Sequence, residues 1–197
     1  MRDTRRAAAR FVAATAGFLT LMCTGGQDSN APVDWLSAVR GGWTGELSFG
    51  YDDGGIPRGF PCGALSATID AAPDGRLSGS WTLSDREPYY GITCGSYSGT
   101  LAGVITGQTV TLGLTTSRGS NLFDEVSRYL SCSDASVTVP PSATGAISKS
   151  DYDGTMRLRL QAEASLSFVV DPLPGFASPV CYIVSGGAWR WYAGRAP

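Results

Sequence analysis

Three carboxylate pairs are the first residues to test for chemistry: Asp52 with Asp53, Asp85 with Glu87, and Asp151 with Asp153. Acid–base hydrolysis of a glycosidic bond needs two carboxyls held across a cleft, one with a raised pKa. All three pairs lie in turn-like segments, where Asp ordinarily bonds nearby backbone instead. Asp151-Tyr152-Asp153-Gly154 has the start of a calcium loop. The further oxygen ligands, above all a downstream bidentate acid, are not evident. The chain holds no histidine. The commonest general base, the commonest metal ligand and every Ser-His or Cys-His nucleophile are therefore missing. There is no phosphate-cradling glycine loop and no thiolate zinc spacing. No catalytic residue, metal or cofactor is expected, and the chain reads as non-enzymatic.

Five cysteines remain: Cys23, Cys62, Cys94, Cys132 and Cys181. Arg2, Arg5, Arg6 and Arg10 precede an apolar run from Phe11 to Met22, the layout of an export signal too short to remain as a membrane span. The junction at Cys23 resembles a bacterial lipoprotein signal, which implies a mature chain beginning at an acylated Cys23. Met22 stands where that family has a small residue. Ordinary cleavage after Gly26 is the other route, and both leave four cysteines for an oxidising compartment. Residues 1–22 are read as a signal peptide, 23–33 as a flexible tether and 34–197 as the folded domain. The expected location is the bacterial cell envelope, lipid-anchored, or otherwise secreted or periplasmic.

After residue 22 the chain carries eleven basic and sixteen acidic residues, a net charge of −5, and Lys149 is its only lysine. Nucleic acid and anionic membrane surfaces need clustered positive charge, so neither is an expected partner. A membrane is met only through the anchor.

The elements that must position these residues read with a period of two. Trp43, Leu47 and Phe49 alternate with Thr44, Glu46 and Ser48; Leu77, Gly79, Trp81 and Leu83 alternate with Ser78, Ser80 and Thr82. Pro73-Asp74-Gly75, Gly107-Gln108 and Asp151–Gly154 mark hairpin turns. Further strands are expected over Ser131–Val139, Ser165–Val170, Cys181–Val184 and Ala188–Tyr192. Asp34 caps one possible helical turn, and Leu122, Phe123, Val126, Tyr129 and Leu130 have the spacing of a short helix capped by Asn121. The expectation is all-β: an antiparallel up-and-down β-barrel of about eight to ten strands with one short helix.

Gly41-Gly42-Trp43 resembles the G-x-W motif of lipocalins and related barrels, and Asp74–Trp81 looks like the second hairpin of avidin-like barrels. The resemblance implies a calycin-type fold in which Trp43 closes one end. A basic residue of the last strand, Arg190, is implied to pack across it. No biotin-binding polar set can be placed.

In a meander, Gly50–Gly63 and Ser84–Gly95 become neighbouring loops, and Cys62–Cys94 with Cys132–Cys181 is one of three possible pairings. Tyr51, Arg58, Phe60, Tyr89 and Tyr90 are the candidate ligand-binding residues at that end, for a small apolar or sugar-like ligand or an envelope protein. The alternative is a protein-interaction or protease-inhibitor-like module with a solid core. Trp81, Leu83, Leu101, Leu112, Leu158 and Leu160 would fill the interior, whereas Gly79, Gly99 and Gly103 would leave room.

Overall fold

The alternating stretches close on themselves. In the computed structural model, residues 32–53, 56–85, 94–130, 138–170 and 180–195 are described. The chain separates into Met1–Pro32 and Val33–Pro197. Cys23, Tyr89, Tyr90 and Cys132 lie outside the described residues, as does most of the strand expected over Ser131–Val139. In the second unit, α1 (Trp35–Val39) leads into β1 (Gly41–Asp53), β2 (Ile56–Ala71), β3 (Arg76–Asp85), β4 (Tyr97–Thr106) and β5 (Thr109–Thr116). Helix α2 (Leu122–Leu130) precedes β6 (Ala143–Lys149), β7 (Met156–Val170) and β8 (Val180–Arg195).

Each strand pairs antiparallel with its sequence neighbour, and β8 pairs with β1, giving a closed eight-stranded barrel. Closure removes the exposed edges that an open sheet would leave. The expected strands over Cys181–Val184 and Ala188–Tyr192 are one strand, β8, the one expected over Ser165–Val170 is the end of β7, and β6 is a strand that was not expected. Among the described residues there are two short helices rather than one.

In the stretch expected as a loop over Gly50–Gly63, the described residues, 50–53 and 56–63, are instead strand, with a bulge on β2. Phe49 pairs with Phe60 and Leu47 with Gly63, so one residue too many lies on β2. The bulge reverses the inward parity between Phe60 and Leu65, both of which are buried. Pro61 sits beside it, where a missing N–H disturbs the ladder least.

Four tryptophans, Trp43, Trp81, Trp189 and Trp191, are each at most 2% exposed and fill the barrel with Leu47, Phe49, Leu65, Leu112 and Leu158. Every indole N–H has a partner inside the protein: Val39 O, Thr100 O, Ser127 Oγ and Leu65 O, in that order. The glycines expected to leave room do not. A Cβ at Gly79 would stand 1.9 Å from Thr68 O, and one at Gly99 1.9 Å from Thr115 O. Glycine there admits the neighbouring backbone rather than a ligand.

One end is sealed by local chemistry. Asp34 accepts from the Leu36 and Ser37 N–H groups at 3.1 and 3.2 Å, capping α1. The turn after β2 is stitched to β4 by Ile105 N–H donating to Gly75 O, and Ile147 N–H donates to Gln108 O across the next turn.

Candidate functional site at the barrel rim

The opposite end is uneven. The paired lengths of β7, β8, β1 and β2 run on past the last pairs of β3 with β2 and of β6 with β7. They form a tall wall over a lower rim built by β3, β4 and β5. Phe49, Phe60 and Trp189 sit on the inner face of that wall, with ring centroids 5.0 to 6.0 Å apart. Helix α2 fills the space before them. Its Leu122, Phe123, Val126 and Ser127 are buried, and Ser127 Oγ accepts from the Trp189 indole N–H at 2.8 Å. Asn121 caps α2 through the Phe123 and Asp124 N–H groups.

The bulge turns Cys62 toward Cys94. The two form a disulfide with Cα atoms 5.3 Å apart, tying β2 to the segment before β4. This is the pairing favoured by the meander. Cys181 lies in β8, and its side chain is outside the described residues. Cys94 N–H donates to Asp85 Oδ1 at 3.2 Å, and Asp85 N–H to Ser96 Oγ at 3.1 Å, so the base of the loop is pinned on both sides.

Of the candidate ligand-binding residues, Tyr51 is half-buried with its ring 6.2 Å from that of Phe49, and Arg58 is exposed. Phe60 is 4% exposed and belongs to the barrel filling.

The arginine assigned to close the far end needs correction. Arg195, not Arg190, lies over Trp43, its Cζ 5.5 Å from the ring centroid, while its guanidinium donates to Ala38 O at 3.0 Å. Arg190 pairs in register with Ser48, five residues from Trp43 toward the rim, and donates to Gln161 Oε1 on the outer surface. The alternation of β8 places Trp189, Trp191 and Ala193 inward, and the strand reaches the Trp43 level only at its last residues.

No protein-family model and no curated protein matches this chain. Among solved structures it is similar to a rhizavidin–biotin complex, at 12% identity and a TM-score of 0.30 over 75% of this chain and 98% of that one.

Among the described residues, the carboxyls displaced from their ordinary range are displaced downward. Hydrogen bonds from Ser37 lower Asp34, and the Arg76 backbone N–H lowers Asp74. Asp153 is held well down by bonds from Ser150 and Thr155, and its carboxylate also stands 3.6 Å from Arg157. A general acid needs the opposite shift. These oxygens are also engaged in their own turns, which leaves Asp153 serving its hairpin.

Beyond the bulge, strand β6 and Arg195, sequence reasoning missed two features of the rim. The Trp189–Ser127 bond joins residues far apart in sequence, and no local pattern announces it. The hydroxyl-dense ends of β4 and β5 were legible in principle: a turn at Gly107-Gln108 fixes Gly99 opposite Thr116 and so brings Ser98 beside Ser117.

Proposed function

We propose that the protein is a non-enzymatic binding module of the bacterial cell envelope, exported and held to a membrane by lipid on Cys23. Its solid barrel acts as a scaffold, and the disulfide-braced rim meets the ligand or partner. The observation carrying this reading is the filled interior. With four buried tryptophans satisfied by protein acceptors, and no unpartnered buried side-chain polar atom among the described residues, the core offers a ligand neither space nor an open hydrogen bond. Binding then falls to the surface. The rim concentrates Tyr51, Arg58, the Cys62–Cys94 disulfide and the extended ends of β1, β2, β7 and β8, on a support that packing keeps rigid.

A photo-crosslinking residue at Arg58, compared with one at Arg157 on the barrel wall, tests this in membranes of a bacterial host. Adducts are expected from position 58 and not from 157, and Cys23→Ser is expected to release the protein from the membrane pellet. Adducts from 157 alone would overturn the rim reading. Retention of Cys23→Ser in the pellet would overturn the anchor.

A further inference from the structure

The sealed end is also where the chain enters the folded unit, at Val33, just ahead of α1. The turns at 72–75, 107–108 and 150–155 lie at this same end, because each joins a strand running toward it to one running away. Two of these elements frame a groove of about 380 Å³, whose apolar lining is Val33, Trp35, Leu36, Pro73 and Ile105. Val33, Trp35 and Leu36 are half-buried, packed on the core and still partly open to the outside. On the turn between β6 and β7, Tyr152 is 97% exposed.

Trp35 differs from the other four tryptophans. Those are buried, and their indole N–H groups are bonded inside the protein. The Trp35 N–H has no partner among the described residues and is not buried, so it meets solvent. An indole with an apolar body against a core and a wet N–H suits the boundary between water and lipid, and an exposed tyrosine suits it equally.

The charges of this end are compensated close by. Arg76 meets Asp74 at 2.7 Å and Arg157 meets Asp153 at 3.6 Å, while Arg40 and Arg195 donate to Ala71 O and Ala38 O. Such a surface is not drawn to anionic headgroups. Its contact is with the interface itself, through apolar and aromatic groups.

The tether says what covers it. Cys23 and Val33 are ten residue steps apart, at most about 35 Å when fully extended. Lipid on Cys23 therefore holds this end near a bilayer, and at that local concentration a weak contact is enough.

We propose that the sealed end seats on the lipid bilayer, with Trp35 and Tyr152 at the interface, and that the rim faces away. This rests on the lipid anchor at Cys23. It amends the expectation that the anchor is the only membrane contact.

The test is tryptophan fluorescence of the full lipidated chain in vesicles of phosphatidylethanolamine and phosphatidylglycerol, with and without brominated phosphatidylcholine. Bromine quenches on contact, and the four buried tryptophans are out of its reach. Brominated lipid is expected to quench the emission that Trp35→Phe removes and to leave the remainder. Tyr152→Trp in the Trp35→Phe background is expected to restore quenching, and its exposed position leaves the packing undisturbed. Arg58→Trp in that background, at the rim, is expected not to. Lack of quenching from position 35 or from position 152, or stronger quenching from position 58, would overturn the proposal. Trp35 shielded from iodide yet untouched by brominated lipid would put a protein there instead, and would overturn it equally. Absence of the chain from the membrane pellet would remove the anchor and the seating together. An anchored chain without quenching would remove the seating alone.

Discussion

At one end of the barrel a five-residue helix, short turns and an arginine laid over Trp43 seal the core; at the other, a nine-residue helix is wedged under a tall wall of β7, β8, β1 and β2. The sealed end adds to its long-range ties, Arg195 with Ala38 and Ile105 with Gly75, a set of contacts close in sequence: Asp34 with Leu36 and Ser37, Trp43 with Val39, Asp74 with Arg76, Asp153 with Thr155. The rim depends on partners distant in sequence, Cys62 with Cys94 and Trp189 with Ser127. Local chemistry closes a barrel reliably. Long-range ties cost more conformational entropy to form, and they hold in place a surface that can vary without disturbing the core.

The largest expected effect that breaks this contrast is loss of the disulfide. Cys62→Ala with Cys94→Ala should lower stability by about 2–4 kcal/mol in a urea titration. Amide exchange should quicken at Ser96–Ser98 and along α2, while Trp43 and α1 stay protected. Equal loss of protection at both ends would erase the distinction between them.

Next in size is the arginine at the sealed end. Arg195→Ala removes a cation–π contact and a hydrogen bond to Ala38 O, and should cost about 1–2 kcal/mol. Arg190→Ala, on the outer surface, should cost less than about 0.5 kcal/mol. Thermal unfolding of the two variants side by side checks the ordering, and a reversed ordering would return the closing role to Arg190.

How much of this was legible follows the same division. The period-two alternation announced an antiparallel barrel, and Pro73-Asp74-Gly75 and Gly107-Gln108 announced its turns, because those signals are local. Both helix caps, Asp34 and Asn121, were readable for the same reason. Residues 50–63 were not. Their glycines and prolines have the composition of a loop, yet β1 continues to Asp53 and β2 begins at Ile56. Pro61 tolerates a bulge, and Gly59 lies close against β1, where a Cβ would stand 3.0 Å from Phe49 O. The Trp189–Tyr192 cluster points to Arg190, but the register of β8 against β1 carries Arg195 to Trp43. The identity of the filler was equally hidden. Glycines at inward positions look like space in a sequence, and only the paired backbone reveals that the next strand already occupies it.

The smallest effect distinguishes the two ends by pH. Asp34, Asp74 and Asp153 all serve the sealed end, and each has its pKa lowered from the usual 3.8 by hydrogen bonds that the ionised form accepts. A carboxyl whose folded pKa lies below its unfolded one adds stability that is complete above the unfolded value. That contribution is lost as pH falls through 3.8 toward the folded value. Acid should therefore loosen α1 and the Asp151–Gly154 turn before it loosens the disulfide-tied rim. Asparagine caps a helix nearly as well as aspartate and does not titrate. Asp34→Asn should consequently leave the melting temperature at about pH 7 nearly unchanged and flatten its decline between about pH 4 and pH 2. A decline as steep as in the parent protein would show that the Asp34 cap adds nothing to the acid sensitivity of the sealed end.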